Sequence, residues 1–317
     1  MAGRVLLESF KLLSAQDLFL SVTLVSSSWK KAVYCDEILL HLLEDRVEED
    51  ATSLYLRVKK ALTGVTYLLH MSRGEMAIWN IVHPTWSPAT LEHASFVNSC
   101  RYVLTAQSKA MLTGGLGQEL YCAQVDLETG GVAPLPDLLR KHAWHAIAVL
   151  KHVVFVSGGD MAGNISKSAE RYSEGKWTEI ANMQLSRYNH TLCGYLQRIY
   201  ALGGSDNTGF LTSIEYYDGQ VWAVACMSLP SSRNYASVWP LRRGLLLIAG
   251  YNPDKSTRAV ELWEESAQQW VEVCAAATDY SLNNAVALRK GVIYVYAHLP
   301  ARNSFPVPAI VGQVALE

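Results

Sequence analysis

The chain lacks the features that mark several large protein classes. No apolar run approaches the roughly 18 residues that a membrane-spanning helix needs. The short apolar run at residues 5–7 is followed at once by Glu8, so we expect neither a spanning helix nor a secretory signal. Lysine and arginine number 27 against 29 acidic residues. This balance argues against a dedicated nucleic-acid-binding protein, which usually carries a basic excess.

Cysteine is sparse and shows no paired spacing. The chain has six cysteines and no C-x-x-C pair among them. Without a signal sequence, such scattered cysteines are typical of buried thiols in a reducing compartment. We therefore expect a cytoplasmic protein, with the nucleus as the alternative location, and no contact with a membrane or a nucleic acid.

Motifs for catalysis and cofactor binding are also missing. The glycine-rich run at residues 114–117 has no Lys-Ser/Thr after it, and no G-x-S-x-G occurs. His142 and His145 lie three residues apart in a predicted strand, where their side chains would face opposite sides. The pair Tyr121-Cys122 has no histidine constellation of the kind found in copper oxidases. We expect no enzyme activity, no cofactor and no metal.

Glycine doublets recur instead at a nearly constant interval. They begin at Gly114, Gly158 and Gly203, and a further step of similar size reaches Ala249-Gly250, which keeps only the second glycine. In two copies the second glycine precedes a tryptophan by 18 residues, and a tyrosine precedes that tryptophan by five (Tyr172 and Trp177; Tyr217 and Trp222). A unit repeated at 44 to 48 residues indicates a repeat architecture.

Each repeat predicts four short strands and no helix. An apolar first strand leads through a turn, such as Lys151-His152 or Gln197-Arg198, to a second apolar strand that ends at the doublet. A variable loop, a third strand and a fourth strand beginning at tryptophan follow, and this order describes a blade of a β-propeller. We expect the glycines where strands crowd near the axis and the large aromatics in the wider space between blades.

The glycine doublet with spaced tyrosine and tryptophan resembles the kelch repeat. The resemblance implies a mainly β fold, a kelch-type β-propeller of about six four-stranded blades over residues 49–317. The outer copies are degraded, and the sixth blade must finish within residues 305–317. A β-sandwich or another type of propeller is the alternative.

The first 48 residues carry a different, helical pattern. Ser14 to Asp17 fits a capping box, and Leu18, Val22, Val25 and Trp29 form one apolar helix face. With residues 25–30 (VSSSWK), this pattern resembles the F-box, although the family's opening Leu-Pro is absent. The resemblance implies three helices over residues 1–48 that bind a Skp-family adaptor of a cullin-RING ubiquitin ligase. The residues it implies for adaptor binding are Leu7, Phe10, Leu13, Leu18, Val25 and Trp29. The alternative is a small helical cap on the propeller.

Polar and aromatic residues recur just before the first strand of several blades. Because equivalent propeller loops lie on one face, we expect them to converge there and to bind an acidic or polar peptide of an unidentified target protein. The residues predicted to bind the target are Arg140, Arg187, Tyr188, Arg233 and Tyr235. The loops after the doublets, residues 160–164 and 205–209, form a second candidate rim. Solvated turns that only complete the strands are the alternative.

These patterns together predict a non-catalytic subunit of a Skp-cullin-F-box ligase that recognises a substrate. Two other classes stay open. One is a kelch scaffold without a ligase role, and the other is a propeller enzyme whose acids, histidines or cysteines converge in the central channel.

Overall fold

The computed structural model describes residues 67–72, 75–80, 85–89, 100–106, 108–241, 244–252, 259–275, 285–289, 292–298 and 308–315. These residues form strands, turns and bends, and they contain no helix. The helical segment expected at residues 1–48, with all six of its adaptor-binding candidates, lies outside the described ranges. The described residues fall into two compact units: those between 67 and 285, with 296–298 and 308–311, belong to one, and 286–289, 292–295 and 312–315 belong to the other.

Twenty-six strands follow one another along the described chain. They are β1 (Tyr67–Ser72), β2 (Glu75–Asn80), β3 (Thr85–Ala89), β4 (Arg101–Ala106), β5 (Lys109–Thr113), β6 (Cys122–Asp126), β7 (Val132–Pro134), β8 (Ala146–Leu150), β9 (Val153–Ser157), β10 (Asp160–Met161), β11 (Asn164–Ile165), β12 (Ala169–Ser173), β13 (Lys176–Ile180), β14 (Thr191–Tyr195), β15 (Arg198–Leu202), β16 (Ser205–Asp206), β17 (Gly209–Phe210), β18 (Ser213–Tyr217), β19 (Trp222–Ser228), β20 (Ser237–Leu241), β21 (Gly244–Ile248), β22 (Ala259–Glu264), β23 (Gln269–Ala275), β24 (Ala285–Arg289), β25 (Val292–His298) and β26 (Pro308–Ala315).

Four consecutive four-stranded sheets carry the fold. Their strand orders are β4-β5-β6-β7, β8-β9-β12-β13, β14-β15-β18-β19 and β20-β21-β22-β23. The first strands of neighbouring sheets lie beside one another, β8 between β4 and β14, and β14 beside β20. Sheets arranged with their first strands inward are the blades of a propeller, so the mainly β, kelch-like arrangement is confirmed for these four blades.

Two three-stranded sheets occupy the positions where the first and sixth blades were expected. Their orders are β1-β2-β3 and β24-β25-β26. Residues 49–66, which precede β1 in the expected propeller region, lie outside the described ranges. The count of about six blades, and their closure into a ring, remain predictions.

Cross-strand pairing explains the aromatic spacing of the repeats. Tyr172 pairs with Trp177, and Tyr217 with Trp222, in register across the third and fourth strands of their blades. The paired rings lie 5.2 Å and 5.5 Å apart between centroids. Trp177 also donates its Nε1–H to the Pro136 carbonyl of the preceding blade at 3.0 Å. These aromatics therefore pack within blades and link neighbouring blades, as the sequence predicted.

The glycine doublets hold the next blade in place. Gly158 and Gly159 have φ angles of 65° and 116°, which only glycine adopts readily. Gly159 N–H donates to the Arg187 carbonyl of the following blade at 2.7 Å. A Cβ atom on Gly158 would lie only 2.3 Å from that same oxygen. The doublet is thus a docking point for the segment that opens the next blade.

The turn between the first two strands differs by one residue from expectation in one blade. The predicted turn at Lys151-His152 is confirmed, with φ angles of 49° and 64°. In the next blade the turn is Leu196-Gln197, with φ angles of 44° and 64°, and Arg198 already belongs to β15. A two-residue turn with both φ angles positive matches the twist of the hairpin.

Most of the described cysteines follow the expected burial. Cys100, Cys122 and Cys193 are buried, and burial raises the pKa of each thiol to about 12. Cys226 differs because it is exposed on β19, the outermost strand of its blade, where side chains alternate between covered and open sides. No disulfide joins these four residues.

Candidate functional site

The segments that lead into the first strands of three blades meet at one end of those strands. We call residues 139–145, 184–190 and 231–236 the lead-in segments. They contain three residues at equivalent positions, Trp144, Asn189 and Tyr235, whose φ angles of 57°, 53° and 56° are left-handed. Because bulky residues rarely adopt this conformation, surrounding contacts must hold it.

Hydrogen bonds join these three residues into a chain that runs from blade to blade. Asn189 N–H donates to the Trp144 carbonyl at 2.8 Å, and Tyr235 N–H donates to the Asn189 carbonyl at 2.9 Å. The Asn189 side-chain amide also donates to the Tyr235 hydroxyl at 2.7 Å. Asn189 is buried, whereas the side chains of Trp144 and Tyr235 remain partly exposed. The result is a rigid row of lead-in residues with aromatic groups at both ends.

The two rims that the sequence suggested form a single surface. Tyr188 and Ser205 exchange two backbone hydrogen bonds of 3.0 Å, so a lead-in segment pairs with the loop after the doublet of its own blade. Asn234 and Tyr251 pair in the same way in the next blade, at 2.9 Å and 2.8 Å. We call the lead-in segments, the loops at residues 160–168 and 205–212, and residues 251–252 the lead-in face.

Two of the five predicted target-binding residues are not available on this face. Arg187 and Arg233 have relative exposures of 0% and 1%. Arg187 donates from Nε and Nη2 to Glu215 at 3.1 Å and 2.9 Å, and Arg233 forms the equivalent pair with Glu261. Burial lowers the pKa of both guanidinium groups, and the paired carboxylate opposes this effect. Both arginines therefore have a structural role, because loss of either partner would leave an unpaired charge buried in the blade.

In the blade before these two, a histidine takes the place of the arginine. His142, Arg187 and Arg233 each precede their glutamate partner by 28 residues. His142 Nε2 lies 3.1 Å from Glu170 Oε1, and both side chains are fully buried. The constant interval between a cation and a glutamate was the sequence signal for these pairs, and our reading of the sequence missed it. His142 and His145 also do not face opposite sides as expected: His142 precedes β8, and the two ring centroids lie 5.5 Å apart.

Two further histidines connect neighbouring blades. His145 Nε2 lies 2.8 Å from the Thr113 hydroxyl, and His190 Nε2 lies 3.0 Å from the Ser157 hydroxyl. Burial lowers the pKa of both imidazoles well below the usual value, so both rings are neutral at physiological pH. The next blade carries Ala236 where the others have histidine, and it needs no hydroxyl partner there.

The other three predicted residues lie on the lead-in face with part of their surface open. Arg140 forms an ion pair with Glu179 at 2.8 Å, and both side chains are more than half exposed. Tyr188 and Tyr235 are partly exposed. Beside Arg140 is an open cleft of about 410 Å³ that Lys141, Met161 and Asn164 also line.

Exposed apolar groups lie near these residues. Leu116, in the loop after the first doublet, is 46% exposed, and Tyr251 is 40% exposed. Phe210 packs against Tyr251 with 5.9 Å between ring centroids. Aromatic and apolar groups beside a few charges suit contact with another protein.

The described part of the chain contains no group of three or more His, Cys, Asp or Glu side chains that could hold a metal ion. Acids on the lead-in face shape its loops: Asp206 accepts hydrogen bonds from the Thr208 and Gly209 amides, at 2.7 Å and 3.1 Å.

Among the residues that the structure describes, no helix has the length and apolar character needed to cross a membrane.

Comparison with known proteins identifies the repeat. The kelch motif matches residues 145–184 and 186–224, which correspond to the two central blades. Kelch-like protein 35 of Mus musculus is 29% identical over 143 residues, which cover 43% of this chain and 24% of that protein. Kelch-like protein 23 of Pongo abelii is 27% identical over 190 residues, which cover 57% of this chain and 32% of that protein.

A solved structure supports the fold independently. The structure of YjhT superposes with a TM-score of 0.52 and 13% identity, covering 62% of this chain and 71% of that chain. The two curated relatives are matched over only about a quarter to a third of their own length. These matches do not show an F-box. The kelch motifs and the similarity to kelch-like proteins together support kelch repeats in the two central blades of this chain.

Proposed function

We propose that this protein is a non-catalytic interaction module that binds a target protein on the lead-in face. The row of Trp144, Asn189 and Tyr235 carries the proposal, since its strained backbone is held by hydrogen bonds from blade to blade. Such a rigid surface presents aromatic side chains without a large loss of conformational entropy on binding. Kelch repeats are typically protein-interaction modules, and this agrees with the surface.

The chemistry of the face changes the partner that we expect. We expected three arginines and two tyrosines to bind an acidic or polar peptide, but Arg187 and Arg233 are paired with glutamates inside the blades. The exposed cations on this face are Arg140, already paired with Glu179, Lys141 and Lys167. Aromatic contacts therefore contribute more than charge, and we propose a partner that offers an apolar or aromatic segment with at most a few acidic groups.

We further propose that the first 48 residues connect this module to a ubiquitin ligase. The support is the sequence pattern of that segment, with its capping box, apolar helix face and residues 25–30 that resemble the F-box. In this role the segment binds a Skp-family adaptor through residues that include Leu18 and Trp29, and the propeller presents the target. A scaffold without a ligase role is the second candidate, favoured by the kelch repeats alone.

Capture of partner proteins from cell extract tests the binding face. The test variant combines Tyr188→Ala with Arg140→Glu, because both side chains are accessible and neither forms a buried pair. The control is Lys151→Glu, an exposed residue in the turn at the opposite end of β8. We expect the test variant to lose the captured partners and the control to retain them. Equal capture by both variants would contradict the proposed face.

Adaptor binding separates the ligase subunit from the scaffold. The intact chain is mixed with a purified Skp-family adaptor, and the same is done with the variant Leu18→Asp, Trp29→Ala. The ligase role predicts binding by the first and none by the second. No binding by the intact chain, or equal binding by both, would leave the scaffold as the function.

A further inference from the structure

The His142–Glu170 pair is an ion pair only when the imidazole carries a proton on both ring nitrogens. Its counterparts in the next two blades, Arg187–Glu215 and Arg233–Glu261, are charged at every physiological pH. Glu170 accepts the backbone N–H groups of Leu139 at Oε2 and Arg140 at Oε1, at 2.8 Å and 2.7 Å. A carboxyl whose two oxygens both accept such bonds is favoured in its ionised form. Oε1 also faces His142 Nε2 at 3.1 Å.

The other nitrogen of the same ring faces a second acceptor. His142 Nδ1 lies 2.7 Å from the Gly158 carbonyl, which can only accept a hydrogen bond. A neutral imidazole has a single N–H and can satisfy one of these acceptors, whereas an imidazolium donates from both nitrogens. The geometry therefore fits a positively charged His142.

The neighbouring blades show what the charged ring replaces. Arg187 Nη1 donates to the Gly203 carbonyl at 2.8 Å, and its other nitrogens donate to Glu215. Glu215 in turn accepts the backbone N–H groups of Gln184 and Leu185 at 2.5 Å and 3.1 Å. His142 reproduces two parts of this arrangement, the contact with the glutamate and the contact with the first glycine carbonyl of the doublet. Arginine keeps its charge at every physiological pH, whereas histidine does not.

We infer that protonation of His142 controls the order of the loop that carries Arg140, and hence the strength of target binding on the lead-in face. The link to binding rests on the proposed function, whereas the control of the loop does not. When the ring loses its proton, Nε2 becomes an acceptor facing the Glu170 carboxylate. The carboxylate then has a repulsive neighbour, and its hold on the Leu139 and Arg140 amides weakens.

The direction with pH follows from the proton that the folded structure holds. The His142–Glu170 ion pair stabilises the fold in mildly acidic solution, and this stabilisation is lost as the pH rises and the ring deprotonates. Among the described residues, Glu170 and the His145 ring lie against His142, and the charges of His190 and Arg101 act on the same group of histidines. Burial keeps the two other histidines neutral near pH 7, so they do not titrate in the same range.

Amide hydrogen exchange tests the control of the loop within one molecule. The Leu139 and Arg140 amides report on the histidine pair, and the Gln184 and Leu185 amides report on the arginine pair as an internal control. Between about pH 6 and pH 8.5, we expect protection of the Leu139 and Arg140 amides to fall on the order of tenfold relative to the control amides. His142→Arg should abolish this relative fall. An unchanged ratio in the wild type, or the same fall in His142→Arg, would overturn the inference.

Nitrogen NMR of the wild-type imidazole removes any dependence on a variant. We expect both ring nitrogens of His142 to carry protons at about pH 6 and one of them to lose its proton by about pH 8.5. A ring that is already neutral at the lower pH would refute the switch. Since neither measurement involves a partner, failure here leaves the proposed function intact. If the variant Tyr188→Ala, Arg140→Glu still captures partners at pH 6, the proposed binding function is refuted, whereas the protonation switch at His142 is not.

Discussion

Substitution of Arg187 by methionine is expected to destabilise the protein strongly and not merely to weaken target binding. The guanidinium is fully buried and donates to Glu215, to the Gly203 carbonyl and to the Ser213 carbonyl and hydroxyl. Methionine keeps the apolar stem but leaves the Glu215 charge buried with only its two backbone donors. Breaking a buried ion pair in this way costs about 3–5 kcal/mol.

A loss of that size is a large part of the total stability of a domain, which is typically about 5–15 kcal/mol. Urea denaturation followed by tryptophan fluorescence measures it, provided that the slope of the transition stays unchanged. The double variant Arg187→Met, Glu215→Gln removes both charges and retains a carbonyl acceptor for one of the two backbone amides. We expect it to be more stable than Arg187→Met alone, because no unpaired charge remains buried.

The comparison with an exposed arginine makes the argument refutable. Arg140→Met breaks an ion pair whose members are more than half exposed, and we expect no measurable change in the urea midpoint. If Arg187→Met unfolds at the wild-type midpoint while it loses captured partners, Arg187 is a surface contact and its structural assignment is wrong.

Four further substitutions, one of them a control, test the contacts between and within blades. Gly158→Ala should lower the free energy of unfolding by more than about 2 kcal/mol, because its Cβ would clash with the next blade. Gly163→Ala, with φ of 87° but open space around it, should show only the backbone strain of about 1–2 kcal/mol. Thermal unfolding of both variants distinguishes a steric clash from strain. Trp177→Phe removes a hydrogen bond to the preceding blade and should cost about 1–2 kcal/mol in urea. Thr113→Val leaves His145 Nε2 buried without a partner and should cost about 1–3 kcal/mol, and a stability equal to wild type would contradict that bond.

The repeat architecture could be predicted because its signals are local and periodic. Glycine doublets and cross-strand aromatics such as Tyr217 and Trp222 recur at fixed spacing, and the structure places them in equivalent blade positions. Strand positions were also close: the second apolar strand expected to end at Ala249-Gly250 is observed as Gly244–Ile248. Hydrophobic pattern and turn chemistry determine such features within one repeat.

The roles of the charged residues could not be predicted in the same way. Arg187 stands beside Tyr188 in the sequence, yet its side chain is buried and that of Tyr188 is partly exposed. The difference depends on Glu215, 28 residues later, and a cluster of polar residues read locally does not reveal such a partner. Comparing equivalent positions across the repeats would have shown this partner, because Glu170 and Glu261 also follow His142 and Arg233 by 28 residues.

Site-specific photocrosslinking tests the central claim most directly. A photoreactive phenylalanine derivative replaces Tyr188 on the lead-in face in one sample and Lys151, in the turn at the opposite end, in another. After irradiation in cell extract, covalent partners are identified by mass spectrometry. We predict that a defined partner protein crosslinks to position 188 and not to position 151. The same proteins at both positions, or a specific partner at position 151 alone, would contradict the assignment of the lead-in face as the binding surface.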